Sequence, residues 1–413
     1  MPMNLTVVNR VAEAGRRGAD VRSDCWIKLT LADAGGIAVE AKTKVETMYG
    51  DSIRRLVQEE LAALGIAHAK VELEDAGALP FVLTARLEAA VRRLYGDAGQ
   101  SAAAVKEFLP EFVAEAQYPT RRDRFRRSRL YLPGNEPKFM LNAGLHEPDG
   151  VILDLEDSVA PAVKDEARLM VRNALRTLDF KGAERMVRIN QGERGLIDLD
   201  YIVPNNVHVV LIPKVEGPEQ VRRVDERITA ILKAHSIDRP VYLMPIVESA
   251  LGAIKAYEIA CASKNNCALT IGLEDYTADL CTQRTDEGRE SFWARSQVVN
   301  AARAAGIQPI DTVYSDVGNM EGLRASVLEA KSLGFDGKGC IHPRQIRVIH
   351  EAFAPSGPEL EKARKIVAAF EEAQAKGLGA VSLGSKMIDP PVVKRALRVV
   401  EMAKAMGIIG SNG

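Results

Sequence analysis

The chain has 413 residues and a formal net charge of −1, and 46% of its residues are hydrophobic. This length allows two or three domains or one large barrel with an appendage, and the near-zero charge gives no general attraction to nucleic acid or membranes. Five cysteines without a CxxC pair and six scattered histidines do not match a zinc pattern. No apolar run reaches the roughly 18 residues of a membrane helix, and "MPMNLTVVNR" lacks an apolar signal region, so we expect a cytoplasmic protein.

Residues 1–97 are predicted to form a small α+β domain. The segment "DCWIKLTLADAGGIAVEAKTKV" alternates as two strands do around an Ala-Gly-Gly turn, and "AKVELED" predicts another strand. "GDSIRRLVQEELAALG" has one apolar helical face and stops at Gly65, and "LPFVLTARLEAAVRRLYG" predicts a second amphipathic helix. Because so small a unit has a thin core, we expect it to need a partner surface or to serve as a docking module.

Residues 98–127 are predicted to be a linker that ends in the basic run "RRDRFRR". One interpretation of this run is a linker end exposed to solvent. The other is contact with a phosphate-bearing ligand, because Arg127 directly precedes the first strand of the following domain. Both interpretations are open at the level of the sequence.

Residues 128–350 contain short apolar runs that alternate with longer helical stretches. Such runs indicate strands buried on both faces in parallel βα units, and eight units are most simply closed into a (β/α)8 TIM barrel. An open doubly wound sheet is the alternative, but it would normally carry a glycine-rich loop after its first strand, and "LPGNEP" is not GxGxxG. Residues 351–413 are predicted to form a C-terminal helical extension. The predicted strands are "SRLYLPG", "GVILDLED", "RMVRIN", "VHVVLIPK", "VYLMPIVE", "CALTIGLED", "IDTVYSD" and "GKGCIHP".

Carboxylates cluster at the ends of these predicted strands, where barrel enzymes build their active sites. In "GVILDLEDSVAP", residues 150–161, Glu156 and Asp157 directly follow an apolar strand. Burying acidic side chains costs free energy unless cations or hydrogen-bond donors pair with them. Glu248 and Asp275 end the neighbouring fifth and sixth strands. Two carboxylates without histidine or thiolate companions suit Mg²⁺, and the strand-two acids could hold its waters. For any one acid, a helix cap or a surface ion pair is the alternative.

Basic side chains also end predicted strands. Arg188, in "MVRIN", is suited to bind a substrate carboxylate because guanidinium is a two-point fork; an ion pair with Glu156 or Asp157 is the alternative. Lys214 could form a Schiff base if desolvated, but nearby acids should keep its pKa high, so we expect a structural or electrostatic role. His342 is expected to cap a helix or to pack.

Several motifs stand in the order typical of one enzyme family. From about residue 125 to 410 the sequence resembles the HpcH/HpaI aldolase and citrate lyase family, in its citrate lyase β-subunit (CitE-like) branch. The resemblance implies a Mg²⁺-dependent (β/α)8 barrel, usually trimeric or hexameric, that acts on 3-hydroxy-acyl thioesters of the citryl, malyl or citramalyl type. The motifs are "RRSRLYLPGN", "DLEDSVAP", "VRIN", "ESALG", "GLEDYTADL", "AARAAGI", "SLGFDGKGCIHPRQI" and "GSKMID".

The same resemblance implies roles for individual residues. It makes Glu248 and Asp275 the metal ligands and Arg188 the arginine that binds a carboxylate, and it places the acidic pair of "DLEDSVAP" near the metal. Asp389, in "KMIDPP", matches a C-terminal acid that reaches the active site of a neighbouring subunit. We therefore expect the extension to contribute to the oligomer and to the neighbouring site.

The N-terminal domain resembles the citrate lyase γ-subunit, which is an acyl carrier protein. In that family a serine in a Glu-Ser-x-Asp pattern carries a covalent phosphoribosyl-dephospho-CoA arm. The corresponding stretch here is "DVRSDCWIKL", in which Arg22 falls on the carrier serine and Ser23 on the next position. Either Ser23 is modified after a one-residue shift, or the carrier function is lost and the thioester is one of free coenzyme A.

These residues suit retro-Claisen cleavage of a 3-hydroxy-acyl thioester into a 2-oxo acid and an acyl (acetyl) thioester. Asp389 or one of the two acids after the second strand is the expected base for the substrate hydroxyl. The thioester enolate needs nearby donors or positive potential, for which the loop at Gly134, with Arg127 or Lys138, is the expected source.

Two other functions are open on the sequence alone. A malate-synthase-like enzyme would condense the two parts and hydrolyse the thioester, and a non-catalytic subunit of a citrate-lyase-like complex would use the N-terminal domain for docking. The chain contains no third catalytic domain, so a separate citrate lyase α-like CoA-transferase subunit is a candidate partner. No nucleic-acid partner is expected.

Overall fold

The computed structural model describes residues 7–96, 106–375, 381–383 and 386–410. They form a closed barrel of eight parallel strands, a small N-terminal domain with a four-stranded sheet, and a C-terminal helical region. The α/β fold class predicted from the sequence is therefore confirmed. No helix in the described part of the chain combines the length and apolar character needed to cross a membrane.

The N-terminal domain is a mixed sheet covered by helices. Its elements are β1 (Val11–Gly15), β2 (Cys25–Leu31), β3 (Ile37–Thr43), α1 (Glu46–Ala63), β4 (Ala69–Asp75) and α2 (Pro80–Leu94). The strand order is β1-β2-β4-β3, so β4 lies between the two strands that the Ala-Gly-Gly turn connects. Strand β1 is absent from the sequence prediction because "VAEAG" is short and carries only small apolar side chains.

The barrel follows the predicted order: each strand pairs with the next, and the eighth closes onto the first. The seventh strand ends at Asp311, earlier than the predicted "IDTVYSD". The strands are β5 (Ser128–Pro133), β6 (Gly150–Asp154), β7 (Glu184–Arg188), β8 (Val209–Ile212), β9 (Tyr242–Val247), β10 (Ala268–Ile271), β11 (Gln308–Asp311) and β12 (Gly337–Cys340). The helices are α3 (Pro137–Met140), α4 (Lys164–Thr177), α5 (Gly192–Ile202), α6 (Pro218–Ala234), α7 (Ala250–Ile254), α8 (Ala256–Ala260), α9 (Leu273–Asp279), α10 (Phe292–Ala304), α11 (Met320–Leu333) and α12 (Arg344–Phe353).

Apolar side chains fill the inside of the barrel beneath the strand ends. Ile152, Met186, Leu211 and Met244 come from four successive strands and are all buried. The strands are buried on their outer faces as well, because the helices cover them. The barrel is therefore a packed core, and polar chemistry is confined to the carboxyl ends of its strands and to a few charged groups inside.

Buried ion pairs fix the N-terminal domain to the flank of the barrel. Helix α2 is buried on nearly all sides because it lies between its own sheet and helix α4. Arg86 of α2 donates to both oxygens of Asp24 and, over 2.6 Å, to Glu166 at the start of α4. Arg172 of α4 pairs in return with Glu88 of α2 over 2.6 Å. Because each buried charge meets an opposite charge, the interface avoids the cost of uncompensated ions.

The C-terminal region contains α13 (Gly357–Ala375), a small hairpin of β13 (Val381–Leu383) and β14 (Lys386–Ile388), and α14 (Pro390–Ala405). The two helices pack together through buried apolar residues that include Ile366 and Val393. Arg398 of α14 pairs with Asp336, which directly precedes β12. Helix α14 is therefore attached at the amino end of the barrel. The hairpin is absent from the sequence prediction.

Candidate active site

A cavity of about 340 Å³ lies at the carboxyl ends of the barrel strands. Arg188, Glu248 and Asp275, all predicted as site residues, line it. Arg188 ends β7, Glu248 directly follows β9, and Asp275 lies in the first turn of α9 after β10. Parallel strands end at the same edge of a barrel, and this brings residues that are up to 87 positions apart in the chain into one cavity.

Asp154 holds the guanidinium of Arg188 by two hydrogen bonds. Arg188 Nε donates to Oδ1 and Nη2 to Oδ2, both over 2.7 Å. Burial would raise the pKa of Asp154, but the hydrogen bonds and charge of Arg188 lower it below the usual value. Asp154 also accepts from the backbone N–H groups of Glu156 and Ser158, so it shapes the loop after β6. The two-point fork of Arg188 thus faces Asp154, and Nη1 is directed toward Glu156, 3.1 Å away.

Glu156 and Asp157 lie next to this ion pair, as predicted, but in different surroundings. Glu156 is buried, and its Oε1 accepts a hydrogen bond of 2.8 Å from Gln191. Burial, followed by the neighbouring Asp157, raises the pKa of Glu156, although Arg188 opposes the shift. The Asp157 side chain is half exposed and lies 3.4 Å from Lys214 Nζ.

A backbone N–H group holds Glu248 within the carboxylate cluster. Its Oε2 accepts from the backbone N–H of Lys214 over 2.9 Å, and Lys214 has a left-handed backbone with φ of 50°. A Cβ at position 272 would lie 2.5 Å from Glu248 Oε1, so any larger residue there would displace the Glu248 side chain. Burial raises the pKa of Glu248 to about 7, and the negative charges of Asp275 and Glu156 add to the shift.

The ammonium of Lys214 lies among the acids. Its Nζ is 3.2 Å from Asp275 Oδ1, 3.4 Å from Asp157 Oδ2 and 3.6 Å from Glu156 Oε1. Burial opposes the charged form, but these three carboxylates raise the pKa of Lys214 above its usual value. A lysine held as ammonium does not attack a carbonyl, so the arrangement favours the electrostatic role over Schiff-base chemistry.

The donor set fits a magnesium ion rather than a soft metal. Among the residues that the structure describes, no three His, Cys, Asp or Glu side chains form a ready-made metal site. Mg²⁺ commonly takes one or two protein carboxylates and completes its shell with water and substrate oxygens. Glu248 and Asp275 could supply those two carboxylates. Burial disfavours the charged form of Glu248, and a divalent cation bound there would favour it.

Arg127 does not belong to this cavity, which corrects the prediction that it binds substrate. It precedes β5, so it lies at the amino end of the barrel, opposite the cavity. Its guanidinium forms two hydrogen bonds of 2.8 Å with Asp149, and its backbone N–H donates to the same carboxylate. The preceding Arg126 is buried and pairs with Glu184 at the start of β7. The basic run therefore fastens the linker to the barrel through several of its arginines.

Gly134 and Lys138 follow β5 on the cavity side, but neither residue lines the cavity, and the backbone N–H of Gly134 is already engaged. The backbone N–H of Gly134 donates to the carbonyl of Asp154 over 2.7 Å, and a Cβ at this position would lie 2.6 Å from that oxygen. The glycine is therefore needed for close packing. Lys138 is exposed, with its Nζ 3.4 Å from Glu136 and against the ring of Phe139.

Asp389 and Ser23 lie outside the cavity of their own chain. Asp389 is exposed and caps α14, where its side chain accepts from the backbone N–H of Val392. Ser23 is half-buried before β2, has φ of 55° and donates its backbone N–H to Ala76. The adjacent Asp24 is the buried partner of the interface arginine. The predicted cluster of acids and Arg188 is thus brought together in one chain, whereas Asp389 and Ser23 are not part of it.

Sequence reasoning did not assign roles to two residues that shape the site. Asp154 is the one polar residue of an otherwise apolar strand, and this interruption was the available signal. Gln191, which donates to Glu156, lies in a loop and carried no signal.

Comparison with known proteins matches the chain to two family models. Residues 127–343 match the model of the HpcH/HpaI aldolase/citrate lyase family. Residues 13–94 match the ACP model, described as the malonate decarboxylase delta subunit (MdcD). The N-terminal domain is therefore similar to acyl carrier subunits, and the barrel matches the family that the sequence motifs indicated.

Relatives of known name each cover about two thirds of the chain. The chain is 43% identical to citrate lyase subunit beta of Haemophilus influenzae, covering 68% of this chain and 98% of that protein. It is 34% identical to mitochondrial citramalyl-CoA lyase of Mus musculus, covering 68% of this chain and 87% of that protein. A crystal structure of CitE from Mycobacterium tuberculosis in complex with magnesium, acetoacetate and coenzyme A superposes with a TM-score of 0.56 at 31% identity, covering 68% of this chain and 99% of that one. The chain belongs to the HpcH/HpaI aldolase/citrate lyase family of carbon–carbon lyases.

Proposed function

We propose that the protein is a Mg²⁺-dependent lyase that cleaves a 3-hydroxy-acyl thioester into a 2-oxo acid and an acyl thioester. The observation that carries this proposal is the placement of Glu248 and Asp275 with Arg188 around one cavity. A similar protein, CitE from M. tuberculosis, has been crystallised with magnesium, acetoacetate and coenzyme A, which are the kinds of ligand this reaction requires.

Glu248 and Asp275 would hold the metal, and Lys214 would balance the remaining negative charge of the cluster. When bound, Mg²⁺ supplies a Lewis acid for the oxygens of an α-oxo or α-hydroxy carboxylate. Arg188 is oriented by Asp154 and would direct its Nη1 edge to the substrate. The buried setting of these groups strengthens their interaction with a carboxylate, because water competes less.

The reaction needs a base that takes the proton of the substrate hydroxyl. The electrons of the O–H bond then form the carbonyl of the 2-oxo acid, the C–C bond breaks, and its electron pair passes into the thioester enolate, which takes up a proton at carbon. Glu156, whose pKa is raised by burial, is one candidate base within the chain. Asp389 is the other, if an adjacent subunit of a trimer or hexamer presents it to the cavity.

The thiol that carries the acyl group is coenzyme A or a covalent arm on Ser23. Ser23 lies next to Asp24, which helps to fix the N-terminal domain beside the loop that follows β5. A tethered thioester would therefore start near the cavity side of the barrel and would gain effective concentration. Intact-mass measurement of protein from its native host distinguishes the two: an added phosphoribosyl-dephospho-CoA mass that is absent from a Ser23→Ala variant supports the arm.

The activity is tested with citryl-, malyl- and citramalyl-CoA, with and without Mg²⁺, while the 2-oxo acid released is measured. Glu248→Gln is expected to lose Mg²⁺ binding, measured by calorimetry, together with cleavage. Glu258→Gln is the matched control, because Glu258 is an exposed acid of α8 that does not line the cavity. Full activity in Glu248→Gln contradicts the proposal and favours a non-catalytic subunit.

The reverse direction separates the lyase from a condensing hydrolase. The protein is incubated with acetyl-CoA and each 2-oxo acid, and free coenzyme A is measured. A lyase forms the 3-hydroxy-acyl thioester without thiol release. Stoichiometric release of free coenzyme A supports the malate-synthase-like alternative.

A further inference from the structure

Arg129 is a cation inside the barrel with which no acidic side chain of the described residues pairs. It lies on β5, it is 1% exposed, and its Nε has no hydrogen-bond partner in the described structure. Its Nη1 donates to Met244 Sδ over 3.2 Å, and its Nη2 to Asp311 O over 3.3 Å and Thr270 Oγ1 over 3.4 Å. None of these acceptors is charged.

The nearby carboxylate cannot compensate Arg129. Asp311 already meets two other buried cations, with Lys338 Nζ 2.7 Å and Arg295 Nη2 3.1 Å from its Oδ2. Arg295 also pairs with the half-exposed Glu329 over 3.0 Å, so three cations, Arg129, Lys338 and Arg295, face two carboxylates in this region. Burying an unpaired guanidinium is expensive, and a ligand carboxylate would supply the missing anion where such a group lines an open cavity.

The same cavity connects Arg129 with the candidate metal ligands. Its lining includes Arg129 and Thr270 inside the barrel and Glu248, Asp275 and Arg188 at the strand ends. Of the cations that line this cavity in the described structure, Arg188 already has Asp154 on its fork. Arg129 is the lining cation that lacks a carboxylate.

We propose that Arg129 binds a second carboxylate of the substrate inside the barrel and so selects 3-hydroxy-acyl thioesters whose 2-oxo acid part is a dicarboxylate. The inference rests on the proposed lyase function. The first carboxylate of the oxo acid lies at Glu248, Asp275 and Arg188, and the second extends inward to the free Nε edge of Arg129. A substrate without this group leaves the guanidinium unpaired and gains nothing from it.

The first test uses the wild-type protein with Mg²⁺ and two freshly dissolved acids that differ by one carboxylate, oxaloacetate and pyruvate. Affinity is measured by calorimetry and by the shift in Tm. We expect oxaloacetate to bind at least about tenfold more tightly, since a charge-assisted pair with a buried arginine contributes about 1.4 kcal/mol or more. Equal affinities overturn the inference while leaving the lyase proposal intact. Failure to bind either acid with Mg²⁺ contradicts the lyase proposal itself.

The second test removes the charge. Arg129→Met, which keeps a long apolar side chain, should abolish the preference for oxaloacetate, while Mg²⁺ affinity and pyruvate binding change little. Arg129→Lys should retain part of the preference. The matched control is Arg185→Met. Arg185 is also buried and has no acidic partner among the residues that the structure describes, but it donates to Asn206 O and Tyr118 O outside the cavity. A preference that survives in Arg129→Met, or is lost equally in Arg185→Met, overturns the inference.

A purely structural role of Arg129 predicts a different result. It would lower the Tm of the unliganded Arg129→Met protein and raise KM for mono- and dicarboxylic substrates alike. Binding of a substrate carboxylate instead predicts a KM increase for the dicarboxylic substrate only, with an unliganded Tm that does not fall, because a costly unpaired charge has been removed.

Discussion

Arg188 and Asp154 form a two-point ion pair across adjacent barrel strands, with both N–O distances at 2.7 Å. The pair fixes the plane of the guanidinium, so the edge of Arg188 that remains for a ligand points toward Glu156. In the proposed reaction, Asp154 would therefore act on the substrate through Arg188.

Asp154→Asn is expected to lower both stability and substrate affinity. The amide leaves a buried guanidinium without a full counter-charge, which costs about 3 kcal/mol of unfolding free energy. It also frees Arg188 to rotate, and substrate affinity should fall at least about tenfold, or about 1.4 kcal/mol. Asp149→Asn is the control, because it weakens a similar pair with Arg127 at the other end of the barrel. If both variants reduce affinity equally, Asp154 has no specific effect on the site.

Lys214→Met is expected to raise Mg²⁺ affinity about tenfold. The ammonium lies within 4 Å of three carboxylates and repels a second cation placed between Glu248 and Asp275. Partial exposure weakens this repulsion relative to a fully buried pair of charges. Lys214→Arg keeps the charge and should change the affinity little. Calorimetric titration with Mg²⁺ measures both, and weaker binding in the methionine variant would contradict a competing role for Lys214.

The stability of the protein should decrease below about pH 6.5 because of His208. Burial, then the charge of Arg185, lowers the pKa of His208 to about 3, whereas an unfolded histidine titrates near 6.5. Between these values the unfolded chain binds a proton that the folded chain does not. The contribution of His208 to the free energy of unfolding is therefore fully present above pH 6.5. Below that pH the free energy of unfolding falls by up to about 1.4 kcal/mol per pH unit.

Urea unfolding at pH 7.5, 6.0 and 5.0 measures this effect. His208→Gln should reduce the slope of the unfolding free energy against pH by an amount that corresponds to about one bound proton. Identical slopes in wild type and His208→Gln would show that His208 is not the group responsible.

Arg86→Met should detach the N-terminal domain from the barrel more readily. The substitution leaves the buried carboxylates of Asp24 and Glu166 without their shared cation, and breaking such a pair costs about 3–5 kcal/mol. Thermal unfolding and limited proteolysis measure the loss. Arg55→Met changes an exposed arginine of α1 and should stay within about 0.5 kcal/mol of wild type. Equal stability of the two variants would mean that the interface does not depend on Arg86.

Strand direction explains which site residues could be predicted. The barrel follows from eight apolar runs, and the convergence of Glu248 with Asp275 follows because neighbouring parallel strands end together. The same rule, applied to Arg127, predicts the opposite end of the barrel, since this residue precedes its strand. Arg127 is adjacent to β5 in the sequence, but it precedes the strand, whereas the cavity lies where the strand ends.

Long-range pairing explains what could not be predicted. The insertion of β4 between β2 and β3 depends on tertiary contacts rather than on the local turn. Alternation along β5 directs Arg129 inward, but the sequence does not show whether an acid meets it there. Similarly, the sequence shows an arginine at the end of β7, but it does not show whether the guanidinium binds Asp154 or a ligand.

The packing of α2 against α4 has a consequence for stoichiometry. Carrier-like and catalytic units made as separate chains come apart when diluted, and their ratio varies with expression. Here one peptide chain and a charge-paired contact hold one N-terminal domain on every barrel. The ratio is therefore always one to one, and no assembly step between these two units limits the amount of complete protein in a dilute solution.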